Sequence, residues 1–132
     1  MLEVRFRKDS RQRLSSVLAQ GHTEIAEHGE DIACAAVSAL LQAAWVGLTD
    51  VAHVEVTGRR RSGDFEMRWP EAVRDRADVH AIVATAELAI VQIADQFRGA
   101  IRVVREDEAE RAGPDETGGQ KPGTRASKGI PR

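Results

Sequence analysis

Leu2, Val4 and Phe6 alternate with Glu3, Arg5 and Arg7 at the start of the chain, the two-residue period of a strand with one buried face. A polar turn at Lys8–Arg11 separates this strand from a second one predicted over Gln12–Gln20. The period then changes. Asp31 predicts the opening of a helix that runs to about Gly47. A second helix is predicted over about Arg76–Arg98, where Val79, Ile82, Val83, Ala86, Ile90, Ile93 and Phe97 recur at three- and four-residue steps. Between the helices, His53–Thr57 and Phe65–Trp69 read as the arms of a hairpin around Gly58–Gly63. Ala100–Arg105 reads as a closing strand. About five strands and two main helices predict an α/β (α+β) single-domain fold, a sheet with helices packed on it.

The first helix differs from the second. Ile32, Ala33, Ala35, Ala36, Val37, Ala39, Leu40, Leu41, Ala43, Ala44, Trp45 and Val46 wrap it nearly all round. A helix apolar on every face is expected to be buried on several sides. In a chain this small, part of that burial is expected from a second subunit, hence a homodimer.

Composition changes near Arg105. Residues 106–132 hold three of the four prolines and one large aliphatic, Ile130, which is too little apolar surface to offset the entropy of ordering. The expectation is a folded domain over 1–105 and a disordered tail over 106–132. The 132 residues suit one domain, and the net charge of -2 excludes the strong basic excess of a dedicated nucleic-acid binder. The opening residues lack the apolar core of a signal peptide, and no run of about 18 consecutive apolar residues appears, so no membrane span is expected. One cysteine forbids an internal disulfide and fits a reducing cytoplasm. Neither a zinc signature nor a glycine-rich phosphate loop is present, so no metal or cofactor is expected.

The chemistry concentrates in Gly21-His22 and, after eight intervening residues, Asp31-Ile32-Ala33-Cys34-Ala35-Ala36-Val37-Ser38. With Asp31 as N-cap, Cys34 would occupy the third helical position. There the macrodipole and the unpaired first-turn amides would lower the thiol pKa and could hold an oxyanion. Ser38 would lie one turn on, on the same face. Gly21 would let the backbone turn before His22, whose imidazole could serve the sulfur as general base and then acid. The residues alone leave a second reading open, in which Cys34 is a small buried hydrophobe, Asp31 only a cap and His22 a polar turn residue. His28 is a rival to His22. Arg59-Arg60-Arg61 reads as a solvated hairpin tip, with a basic guide surface as the sharper alternative, and Trp45 and Trp69 read as core or interface residues, with an aromatic-accepting pocket as theirs.

The run Gly21-His22, Asp31-Ile32 and Cys34-Ala35-Ala36-Val37-Ser38-Ala39-Leu40 resembles the ribosomal-processing cysteine protease family Prp. The resemblance covers about residues 1–105. It implies an α/β sandwich, generally dimeric, that removes a short N-terminal extension from a bacterial large-subunit ribosomal protein after an aromatic residue. It matches Cys34 to the nucleophile, His22 to the catalytic histidine, and Asp31, Ser38 and Gly21 to supporting positions. Thr23, Ala33 and Val46 depart from the family pattern without removing a group the chemistry needs. A non-catalytic ribosome-associated protein with the same fold is the alternative.

Overall fold

The computed structural model describes residues 1–21, 28–61 and 63–108. Strand β1 (Leu2–Lys8) turns into β2 (Leu14–Gln20). Helix α1 (His28–Val46) continues into a π-helical turn, Gly47–Val51. Strands β3 (Thr57–Arg61) and β4 (Asp64–Arg68) form a hairpin, and a 3-10 turn at Glu71–Val73 leads to α2 (Ala77–Gln96) and β5 (Ile101–Asp107). The sheet order is β3-β4-β2-β1-β5. Every neighbouring pair is antiparallel except β1 with β5, which is parallel.

Register sorts the side chains onto two faces. Val4 pairs with Ala19 and Ala19 with Phe65; Phe6 pairs with Val17 and Val17 with Met67; Leu2 pairs with Ile101. Paired residues point to the same side of a sheet, so these eight line one face. They form a single core with Ala33, Val37, Leu41 and Ala44 of α1, Leu48 of the turn after it, and Val79, Val83, Ala86 and Ile90 of α2. The alternation read at Leu2–Arg7 and the stripe read over the second helix are both realised. By length and composition alone, Ile32–Val51 and Ala77–Gln96 could each cross a membrane; here one side of each is built into this core.

The other face carries charge. Arg7 is 3% exposed through its side chain, with its Nε donating to Glu106 Oε2 at 3.0 Å and its Nη1 3.8 Å from Glu66 Oε2. Arg5 Nη1 reaches Glu106 Oε1 at 2.8 Å. Burial pushes the Glu106 carboxyl up, but the Arg7 hydrogen bond and the charges of Arg7 and Arg5 hold it below the usual range. Among the described residues the buried Ser16 Oγ has no hydrogen-bond partner.

Several expectations need correction. Strand β2 begins two residues after Gln12, because Gln12 adopts φ 65° in a turn organised by Asp9. Asp9 Oδ1 accepts from the amides of Arg11 and Arg13 at 2.9 and 3.0 Å, and Oδ2 accepts from Arg13 Nε and Arg74 Nη1. Strand β3 begins at Thr57, not His53, which sits in the preceding loop at φ 58°. Gly58 and the three arginines therefore lie within the strand and not at its tip. Gly58 takes φ +150° where a Cβ would collide with Glu66 O, so only glycine fits this close approach. Strand β5 extends two residues past Arg105 because Glu106 is drawn in by Arg5 and Arg7. The rest of the predicted tail, beyond Glu108, lies outside the described residues. Helix α1 is buried along one face only; Ile32 and Val46 are 49% and 47% exposed.

Candidate functional site

The apolar stripe that seats α1 on the sheet leaves an adjacent stripe of the helix facing a cleft. Cys34, Ser38, Leu41 and Gln42 recur at three- and four-residue steps along it. Across from them stand the N-terminal end of β1, the exit of β2 and the β3–β4 turn, represented by Leu2, Gly21 and Gly63. The cleft has a volume of ≈ 290 Å³. Cys34 is half-buried on its wall, and Ser38, one turn on, is exposed. Three of the residues singled out by sequence, Gly21, Cys34 and Ser38, are thus brought together in one cleft. His22 lies outside the described residues.

The start of α1 overturns one expectation. Among the described residues α1 is already helical at His28, three residues before Asp31, so Asp31 lies inside the helix rather than capping it. Cys34 consequently lies beyond the first turn. An amide there has its intrahelical acceptor four residues back, so it is not one of the unpaired first-turn donors. The dipole effect is confined to the terminal turn, so among the described residues the helix's own amides at Cys34 do not supply the expected pocket of unpaired donors. His28, the rival histidine, is the first residue of α1.

Gly21 is held where only glycine fits. Its φ is +99°, and a Cβ would lie 2.6 Å from Met1 O. Its amide donates to Gly63 O at 3.0 Å, which ties the exit of β2 to the β3–β4 turn. The inner end of the cleft is braced by aromatic packing. Phe65 lines it, Trp45 meets Phe65 edge to face with centroids 5.9 Å apart, and the Arg60 guanidinium lies 4.5 Å from the Trp45 ring centroid. Trp69, by contrast, is core: it is 2% exposed and its Nε1 donates to Leu14 O at 3.0 Å.

Arg61 and Asp64 are lining residues that sequence reasoning did not single out for the site. Their positions depend on the hairpin register, which no local motif encodes. The Asp64 carboxyl is held below its ordinary value, first by hydrogen bonding to Arg59, against burial and with further help from the charges of Arg59 and Arg61. Among the described residues no group of three or more His, Cys, Asp or Glu side chains could hold a metal ion. The arrangement places one thiol on the wall of a cleft with both apolar and polar lining, where a nucleophile could reach a bound substrate.

Comparison with known proteins places this cleft in context. A family model described as cysteine protease Prp matches residues 1–102. The essential ribosomal processing protease Prp from S. aureus, solved in complex with a substrate peptide, is similar with a TM-score of 0.71 and 20% identity, over 80% of this chain and 99% of that one. The same protease with a covalently linked product peptide gives a TM-score of 0.63 at 20% identity, with the same coverage. SMU.848 from Streptococcus mutans gives 0.68 at 22% identity, over 81% of this chain and 95% of that one. At these identities the structural likeness is one of fold. No curated protein sequence matches the chain.

Proposed function

The chain belongs to the cysteine protease Prp family, and from that premise we propose that it is an endopeptidase that removes a short N-terminal extension from a bacterial large-subunit ribosomal protein. Cys34 is its nucleophile and His22 its general acid/base. The observation that carries this reading is the placement of Cys34 in a cleft whose lining includes Gly21, the residue directly before His22 in the chain.

The chemistry follows from the two groups. His22 takes the thiol proton, and the sulfur attacks the scissile carbonyl carbon. Collapse of the tetrahedral adduct breaks the C–N bond, leaves a thioester on Cys34, and passes the proton from His22 to the departing amine. His22 then takes a proton from water, which hydrolyses the thioester and restores the thiol. Because Cys34 is one turn inside the helix, the imidazole and not the helix end supplies the ionisation. Ser38 positions the peptide one turn along, and Asp31 supports the start of the helix. No metal or cofactor enters these steps.

A ribosomal-protein substrate places the enzyme in the cytoplasm. The half-exposed Ile32 and Val46, together with Leu88 at 58% exposure, favour pairing of two copies, and a homodimer is part of the proposal. Sedimentation showing only monomer at micromolar concentration would remove that part. No membrane association and no dedicated nucleic-acid binding belong to this reading. The test of the whole is to incubate purified protein with the extension peptide, ending in aromatic residues, and look for two fragments by mass spectrometry. An intact peptide together with an inert Cys34 would instead favour a ribosome-associated binding protein.

A further inference from the structure

Cys34, Ser38 and Gln42 follow one another at four-residue steps along α1, and all three line the cleft. Ser38 is exposed and Gln42 is half-buried. Among the described residues neither of these two side chains makes a hydrogen bond. A hydroxyl on a helix commonly bonds back to the carbonyl four residues earlier. Thr49, in the turn after α1, does so to Trp45 O at 3.0 Å, but Ser38 does not. Their neighbours in the lining are apolar, with Val37 and Leu41 on the same helix and Phe65 across from it. A hydroxyl and a carboxamide therefore border the cleft with their bonding capacity uncommitted.

Their spacing fits one kind of ligand. Four residues of α-helix rise about 6 Å, and two residues of an extended chain advance about 6.6 Å. A strand laid along α1 thus brings alternate residues opposite Cys34, Ser38 and Gln42 in turn. With its scissile carbonyl at the Cys34 sulfur, it meets Gln42 about four residues away. A carboxamide is uncharged and holds both donors and an acceptor. It matches the one donor and one acceptor that each residue's main chain carries. Taking the proposed peptidase reading as its base, we infer that Gln42 is a substrate-binding residue that hydrogen-bonds the peptide main chain about four residues from the scissile bond and holds the peptide extended along α1. The contact is made to backbone, so it grips whatever side chain stands there.

The test uses the full chain carrying Cys34→Ala, so that binding is read without cleavage. The probes are fluorescent dodecapeptides with a central aromatic residue, acetylated and amidated to remove terminal charges. In a matched set, one main-chain amide at a time is replaced by an ester, which deletes the N–H donor and leaves the side chains alone. Fluorescence anisotropy is expected to show a position roughly three to five residues from the aromatic one at which the ester weakens binding roughly three- to tenfold. Adding Gln42→Leu should weaken the all-amide peptide by a similar factor and remove the ester penalty at that position, so that the two losses do not add. Gln42→Met should do the same, and thermal melts select whichever variant is folded. Gln92→Leu, at an exposed glutamine of α2 outside the cleft, should leave the penalty intact. An ester penalty that survives loss of the Gln42 carboxamide at every position, unchanged affinity in both Gln42 variants, or no measurable binding by any peptide would overturn this assignment. Cleavage of the all-amide peptide by the chain with Cys34 intact separates the two claims. An uncut peptide with a Gln42-dependent ester penalty would sink the peptidase reading alone, and cleavage with no such penalty would sink this one alone.

Discussion

The amide of Gly21 donates to the carbonyl of Gly63 at 3.0 Å, which pins the last residue before the candidate histidine to the turn of a separate hairpin. One wall of the cleft and the approach to position 22 are therefore fastened by the same bond. Gly21→Ala tests that coupling. A Cβ there meets Met1 O at 2.6 Å, and φ +99° is strained for alanine. The variant should lose about 1–3 kcal/mol in urea unfolding. It should also lose most peptide cleavage at temperatures where it remains folded.

Cys34→Ala and Cys34→Ser should both abolish cleavage and leave the fold in place. The thiol is half-buried at the edge of the core, so its removal should shift Tm by no more than about 4 °C. Mass spectrometry of the peptide together with a thermal melt of the variant checks both halves. Residual turnover in Cys34→Ala would show that another group attacks the peptide.

Glu106→Ala should destabilise the protein by about 2–5 kcal/mol. Its carboxylate answers Arg7, whose side chain is 3% exposed, and removing it leaves that charge short of a counter-ion in a buried position. Equilibrium unfolding measures the loss. A cost below about 0.5 kcal/mol, the range of an ordinary surface change, would mean that Arg7 is satisfied without Glu106.

Asp9 sets a pH dependence. Burial alone would raise its carboxyl, but the amide of Arg13 and the guanidinium groups of Arg74 and Arg13, with the Arg11 amide, bring it from 3.8 down to about 2. A depressed carboxyl stabilises the fold above its unfolded value and loses that contribution as pH falls towards the folded one. The stability difference between the natural chain and Asp9→Asn should therefore be full at pH 5 and shrink from pH 4 to pH 2. At its fullest it should reach about 1–3 kcal/mol. Urea midpoints of both proteins across that range give the measurement; a constant difference would detach the effect from ionisation.

What the sequence made legible follows the range of the interactions involved. The alternation at Leu2–Arg7 and the stripe from Val79 to Phe97 are local patterns set by one buried face each, and both elements formed as read. The neighbourhood of Gly21, Cys34 and Ser38 was legible through a motif. The helix start was not, because Asp31 suits an N-cap and a first turn equally well. Gly58 was taken for a turn residue, yet it is needed where β3 passes close to Glu66 O, a partner set by hairpin register. Arg61 and Asp64 were missed for the same reason. Glu106 was assigned to a tail on composition, and only its long-range partners Arg5 and Arg7 bring it into the sheet.

The parallel pairing of β1 with β5 has a consequence for how the molecule is made. Leu2 aligns with Ile101 and Lys8 with Asp107, so β1 finds its outer neighbour only in β5, the last strand among the described residues. On a ribosome, β1 can join β2 early, but its far edge stays open and Arg7 lacks Glu106 until residue 107 has cleared the exit tunnel. Closing so long a loop is slow, and the exposed edge is a hazard meanwhile. A chain stalled or cut before Ile101 would keep both helices and four strands and still present an unfinished margin to its neighbours.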